Sequence, residues 1–423
     1  MCMKNRGMMK MFKIRYKSHH DVKDIILSKN KRKLRLPQSY WKLMEKEPED
    51  LDGGIYVHVP FCDKICSFCN MNRKQLDNDL EDYTKFLVKE INKYRNKIYI
   101  QKKKFSVIFF GGGTPTILKP HQLEVVLSTL REVFPLREDY EFTFETTLHN
   151  LTWEKLEVMK KYGVNRLSIG IQTFSNRGRK LLNRTYDQDF VKKRLKEIKA
   201  KFQGLVCLDI IYNYLDQSIE EVKEDARIVS EISPDSVSYY SLMIHDGSEI
   251  SKDLNSGEKN FDYKTERDKE LHDAFLDFLL ESGYKVLEHT KLTKGTDSYK
   301  YIRNVHKLKD LIPIGIGAGG RVQNIELYYL NRLVSFYSLD TEDVMKLKKI
   351  SGITQYEDVQ LEKLSNIVKE KYNEIYEVLK ELEKTGYISI DREKNLYRYT
   401  KKGIFWGNNI SALLVEKYLE NRL

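Results

Sequence analysis

The sequence predicts an α/β barrel, complete or partial, with a smaller helix-and-hairpin domain at its C-terminal end. Three observations lead there. Short segments rich in Val, Ile, Phe and Tyr recur at 55–61, 106–110, 141–145, 166–172, 205–212 and 236–244, with charged helical stretches between them. Strands alternating with helices imply parallel βαβ units. Polar residues and glycines follow these strands directly, at the end where barrels of parallel strands carry their chemistry.

The elements follow in order. Residues 1–50 are basic and short of patterned apolar runs, which predicts a loosely packed N-terminal arm with a helix or two. The barrel is expected over 51–250, with helices at 80–97, 120–133, 153–162, 189–201 and 219–232. The character then changes. A helix is expected over 265–281, a strand over 284–290, and a glycine-rich turn at Ile314-Gly315-Ile316-Gly317-Ala318-Gly319-Gly320. Residues 251–350 therefore read as an extension of the barrel. In the last segment, 351–423, Tyr372, Ile375, Tyr376, Leu379 and Leu382 repeat at helical spacing, and two short strands, 387–390 and 396–399, follow. Helix then hairpin is a winged-helix outline.

Composition narrows the function class. Net charge is +11, from 73 basic and 62 acidic residues. The lysines are spread along the chain, as solvated charge usually is. The helical stretch 369–384 interleaves Glu374, Glu377, Glu381 and Glu383 with its lysines, so no concentrated basic recognition helix accompanies the winged-helix outline, and nucleic acid is not an expected partner. No apolar run is long enough to span a bilayer, so no membrane insertion is expected. With no secretory signal and only five cysteines, three of them crowded, the expected location is the reducing cytoplasm.

Those three are the most informative feature: Cys62-Asp63-Lys64-Ile65-Cys66-Ser67-Phe68-Cys69, spaced C-x3-C-x2-C. Three thiolates can hold three irons of a [4Fe–4S] cubane. The fourth iron would stay open to a small molecule, as reactive metal sites require. Structural zinc wants four ligands, and no second C-x2-C or H-x3-H pair is present. The second feature is Gly111-Gly112-Gly113-Thr114-Pro115, after the second strand. Glycines there let backbone approach a ligand closely. The pattern is neither a P-loop nor a dinucleotide fingerprint.

With both features in place the chain resembles the radical S-adenosylmethionine (SAM) superfamily. It is similar, more narrowly, to the group of oxygen-independent coproporphyrinogen III oxidases, haem chaperones and anaerobic haem-degrading enzymes (anaerobilin synthases). The resemblance rests on Tyr56-Val57-His58-Val59-Pro60-Phe61-Cys62, on the segment from Phe109 to Thr116, and on that from Asn165 to Phe174. It implies a radical SAM partial (β/α)6 TIM-like barrel with a C-terminal helical, winged-helix-like domain, the extension 251–350 closing the substrate side. It also implies two cofactors, a [4Fe–4S] cluster on Cys62, Cys66 and Cys69, and SAM. SAM would be held by Tyr56, Gly112, Gly113, Thr114, Glu145, Gln172, Arg184, Asp209 and Met243. The implied chemistry is reductive cleavage of SAM to methionine and a 5′-deoxyadenosyl radical.

Departures from the group's patterns choose within it. Coproporphyrinogen oxidases carry a further cysteine two residues after the third; here that residue is Met71. Haem chaperones carry C-D-F there and H-N-x-x-Y-W later; this chain has Asn70-Met71 and Arg303-Asn304-Val305-His306. The segments 209–213, 238–243 and 313–320 look most like the haem-degrading members. The expected substrate is therefore haem or a related porphyrin, methylated and opened to a linear tetrapyrrole with release of iron. The expected electron donor is a low-potential protein such as flavodoxin or ferredoxin. His245, His289, His306 and Arg321 are the candidate substrate contacts.

Overall fold

The computed structural model describes residues 11–28, 33–69, 74–75 and 79–420. Met71 lies outside them. Six parallel strands form the barrel wall: β1 (Gly54–Val59), β2 (Phe105–Gly112), β3 (Leu136–Thr146), β4 (Arg166–Gln172), β5 (Leu205–Tyr212) and β6 (Ser236–Ser241). Their inward and outward faces are both covered. All eight residues of β2 are buried, which explains its unbroken apolar reading. Helices Pro120–Val133, Gln188–Lys201 and Ile219–Ile232 lie where the charged stretches predicted them. The last is held by a capping box in which Ser218 and Glu221 satisfy each other's backbone N–H groups.

A seventh parallel strand, Leu311–Ile314, adds beside β1. From there the sheet continues antiparallel through Gly319–Val322, Ile325–Tyr329 and Ser335–Leu339 to the short strand Lys33–Arg35. On the other side β6 pairs antiparallel with Lys291–Thr293, and that strand with Lys285–Glu288. The sheet thus has thirteen strands and does not close on itself among the described residues.

Four helices matter below: α1 (His19–Ser28), α2 (Lys300–His306), α3 (Glu342–Ile353) and α4 (Gly407–Leu419). The described part of the N-terminal arm is better packed than its composition predicts. Val22 and Ile26 of α1 are fully buried, and α1 packs on α3 and α4. Ahead of α1, the buried Arg15 donates to the Asp268 carboxylate at 2.7 Å, to the Tyr212 hydroxyl at 2.9 Å and to the Phe405 carbonyl at 3.0 Å. Asn409 holds the same stretch by its backbone, accepting from Tyr16 N–H and donating to Ile14 C=O. Basic residues concealed this, because a buried arginine with three partners looks like surface charge in a sequence.

The C-terminal region is the expected helix and hairpin. Strand Asp358–Gln360 is followed by helices Leu361–Val368 and Tyr372–Lys384, and it joins the hairpin strands Ile388–Asp391 and Leu396–Tyr399 in a three-stranded antiparallel sheet with Leu396–Tyr399 at its centre. No helix among the described residues is long and apolar enough to cross a membrane.

Candidate active site

At the C-terminal ends of β1 to β5 a cleft of about 230 Å3 is bordered by Cys62, Cys66, Cys69, Gly112, Gly113, Thr114, Glu145, Gln172, Arg184 and Asp209. These residues come from five strands and the loops that leave them. None of Cys62, Cys66, Cys69 or Cys207 is in a disulfide. The cysteine loop is tied down from outside. Asn183 donates to the Ile65 carbonyl at 2.7 Å, Ser67 to the Leu181 carbonyl at 2.8 Å, and Asn150 to the Asp63 carboxylate at 3.1 Å.

The N–H groups of the glycine turn are already engaged within the protein. Gly113 N–H donates to Val59 C=O and Thr114 N–H to Phe61 C=O, both at 2.8 Å, and Gly112 N–H donates to Glu145 at 3.2 Å. An amine is a donor, so the carbonyl oxygens of this turn are what it would meet. The glycines are needed for room. A Cβ on Gly113 would lie 2.5 Å from the Phe61 carbonyl oxygen, and Gly112 has φ +114° with the His58 ring against its Cα.

Polar groups without internal partners face this space. Gln172 sits at φ +68° after a bulge at Gly170, and its buried Oε1 has no hydrogen-bond partner. A non-glycine residue held in that region is strained, and such strain collects at ligand sites. Arg184 donates from one terminal nitrogen to Cys66 Sγ at 2.9 Å and from the other to Gly170 C=O, while its buried Nε has no partner. Asp209 accepts from Ser168 at 3.2 Å. Burial, and then the nearby Asp209 charge, push the Glu145 carboxyl up to about 8. That is the signature of an acid waiting for a positive partner.

Tyr56 and Met243 do not border the cleft. The Tyr56 hydroxyl pairs with His58 Nδ1 at 2.8 Å, and Met243 lies in the chain just past β6. The four candidate substrate contacts also lie elsewhere. His245 follows β6. His289 is buried, with Nε2 2.7 Å from the Thr354 carbonyl, and burial pushes its imidazole down to about 4. His306 ends α2. Arg321 donates to the carbonyls of Gln323 and Lys309 on the antiparallel part of the sheet. The sequence reading missed Phe68, Ser168 and Arg179, which border the cleft. For Ser168 a signal existed: Arg166, Ser168 and Gly170 alternate along β4, so they share one face.

The donor set fits the cofactors a radical SAM protein uses. Among the described residues no three His, Cys, Asp or Glu side chains converge on one metal ion, as a zinc site would demand. Three thiols bounding one cleft without converging suit a cluster in which each sulfur takes its own iron. The orphaned Gln172 Oε1 and Arg184 Nε, with two carboxylates, suit a ligand bearing an amine, a carboxylate and hydroxyls.

Comparison with known proteins agrees with this geometry. Residues 56–229 match the Radical SAM superfamily. The chain is 28% identical over 296 residues to the anaerobilin synthase of Escherichia coli O157:H7, covering 69% of this chain and 65% of that protein. It is 26% identical over 381 residues to the haem chaperone HemW of Lactococcus lactis, covering 87% of this chain and 97% of the chaperone. Its fold matches that of the radical SAM enzyme coproporphyrinogen III oxidase (HemN) from Escherichia coli, with a TM-score of 0.75 at 22% identity over 91% of this chain and 94% of that one. Three thiols, a glycine turn and polar strand ends thus bound one cleft inside residues 56–229, the stretch that matches the Radical SAM superfamily, on a HemN-like fold.

Proposed function

We propose that the protein is an anaerobic radical SAM enzyme that opens haem, methylating the porphyrin and giving a linear tetrapyrrole and iron. The observation that carries this is a cluster of aromatic rings that adjoins the cleft at Glu145. On one side lies the cleft of thiols and polar groups. On the other lie the rings of Tyr56, Phe109 and Tyr301, stacked in sequence with Tyr301 4.1 Å from Phe109 and 6.2 Å from Tyr56. Flat aromatic walls suit a flat macrocycle. Similarity to an anaerobilin synthase favours haem as that macrocycle, and Met71 argues against coproporphyrinogen.

In this reading Cys62, Cys66 and Cys69 hold a [4Fe–4S] cluster, which with SAM supplies the one-electron cleavage chemistry. The chain's own residues bind, orient and exclude. Arg184 offers a guanidinium for a carboxylate, and Glu145 and Asp209 offer carboxylates for an amine and hydroxyls. Glu145 must release its proton to meet an ammonium. Burial of the strand ends keeps water from the reacting groups. The reductant is a low-potential protein such as flavodoxin or ferredoxin.

One observation favours a second reading, a haem chaperone of the same family: the match spans 97% of the Lactococcus chaperone but 65% of the anaerobilin synthase. The test is anaerobic. Protein reconstituted with iron and sulfide receives reductant, SAM and haem. Loss of the porphyrin band with a linear tetrapyrrole supports the proposal. Stable haem binding without turnover gives the chaperone reading, and 5′-deoxyadenosine formed on coproporphyrinogen with haem left intact gives the oxidase.

A further inference from the structure

Below the cleft, Tyr56, Tyr240, Tyr299 and Tyr301 are each partly accessible, yet burial is the first cause raising every one of these phenols, Tyr240 to about 12. Three of these rings touch, Tyr301 lying 6.2 Å from Tyr56 and 6.3 Å from Tyr299, so they form one half-buried aromatic cluster. Tyr299 and Tyr301 sit at the start of α2, and the same helix ends in His306. Its side chain is 12% accessible. Nδ1 is 3.0 Å from the Tyr356 hydroxyl and 3.7 Å from a Glu288 oxygen, and Nε2 makes no hydrogen bond among the described residues.

The opposite contribution comes from α1, which packs on α3 as α2 does. It brings His19 and His20, their rings 4.3 Å apart and neither ring engaged in a hydrogen bond among the described residues. Burial, then His20 and His306, hold His19 down to about 3; burial, then His289, hold His306 down to about 4. His306 is among the charges that act on His19, and α1 and α2 both pack on α3, which places the two histidines on neighbouring helices. Neutral imidazole is the form that binds metal.

We propose that His306 Nε2 is the protein ligand to haem iron, its ring fixed through Nδ1 by Tyr356 and Glu288. This rests on the haem reading above. Imidazole is a common haem ligand, and a ligating histidine usually commits its other nitrogen to an oxygen partner, as His306 does here. His289 is held the other way round, Nε2 by the Thr354 carbonyl and Nδ1 without a partner among the described residues, but it is only 4% exposed, whereas the His306 side chain is 12% exposed.

Ferric haem titrated into the cluster-loaded, SAM-free protein should give an imidazole-type Soret band. His306→Ala should weaken haem binding by about tenfold or more and lose that band, with free imidazole restoring it and the melting curve showing an intact fold. Tyr356→Phe should keep the band but shift the haem midpoint potential, because the Nδ1 partner tunes ligand basicity. Equal affinity and spectrum in wild type and His306→Ala overturns the assignment, as does loss of the band in His19→Ala with His306→Ala unaffected. A wild-type protein that binds no haem at all overturns the haem reading of function instead, since the ligand's identity is then no longer what failed.

Discussion

Glu145→Gln tests the central electrostatic claim. In the ligand-free protein Glu145 holds its proton up to about pH 8, because burial and then Asp209 disfavour the carboxylate. An ammonium group needs the carboxylate. At pH 7 ionising an acid of that strength costs about 1.4 kcal/mol, a tenfold loss of affinity, and at pH 6 about 2.7 kcal/mol, a hundredfold. SAM affinity should therefore rise about tenfold per unit from pH 6 to 8 and then level off. Binding should release close to one proton at pH 6 to 7. The glutamine variant keeps shape but cannot ionise. Above pH 8 it should bind about ten- to hundredfold more weakly, having lost a hydrogen bond to a charged group. Near pH 6 the two proteins should converge. Stability runs the other way. A carboxyl raised from 4.5 to about 8 by folding costs stability increasingly as pH rises through that window, on the order of 3 kcal/mol by pH 7. The variant should accordingly melt higher than wild type at pH 7 without SAM. Calorimetry of SAM binding in buffers of different ionisation enthalpy, with the cluster loaded and unreduced, reads affinity and proton release together. A flat wild-type pH profile, or the same slope in Glu145→Gln, would refute the reasoning.

Three further predictions follow from the same geometry. Cys66→Ala should abolish SAM cleavage and lower bound iron in reconstituted protein; 5′-deoxyadenosine formed at the wild-type rate would reject the cluster assignment. Gly113→Ala must move backbone, since its Cβ meets the Phe61 carbonyl at 2.5 Å, and should lose SAM binding while retaining the cluster spectrum. Asp297→Ala leaves the fully buried Arg166 guanidinium, now 2.8 Å from Asp297, without a counter-charge, and should cost about 3–5 kcal/mol in denaturant melts. Burial opposes ionisation of Asp297, but Arg166 outweighs it and holds the acid down at about 2, so the pair stabilises above about pH 4 and that contribution is lost as pH falls through 2. A variant as stable as wild type at pH 7 would show that the pair does not hold the barrel interior together.

The barrel was legible because each of its signals is local. Short apolar segments, the charged stretches between them and the C-x3-C-x2-C spacing are each set within a few residues, and helices such as Pro120–Val133 and Ile219–Ile232 begin and end where those signals place them. The cleft was legible one step further out. Parallel strands deliver their C-terminal ends to one face, so Glu145, Gln172 and Asp209 had to meet once the strands were assigned. What stayed hidden was set by packing between distant segments. Arg15 reaches Asp268 and Phe405, and nothing near Arg15 in sequence distinguishes it from the other basic residues of the arm. Tyr56 sits on the right strand but turns to His58, because Gly112 and Gly317 leave room for that ring and the Tyr56 hydroxyl then finds Nδ1. The seventh parallel strand, Leu311–Ile314, went unread, and only its last residue fell in the glycine-rich turn, since Pro313 and the glycines after it mask a segment whose apolar side chains are mostly buried. The candidate substrate residues divide for the same reason. A histidine's worth as a ligand depends on which nitrogen its neighbours claim, and Thr354, Tyr356 and Glu288 lie about fifty residues or more away from His289 or within a separate strand from His306. Spacing can propose an imidazole; only the partner of its other nitrogen says whether it is poised to bind iron.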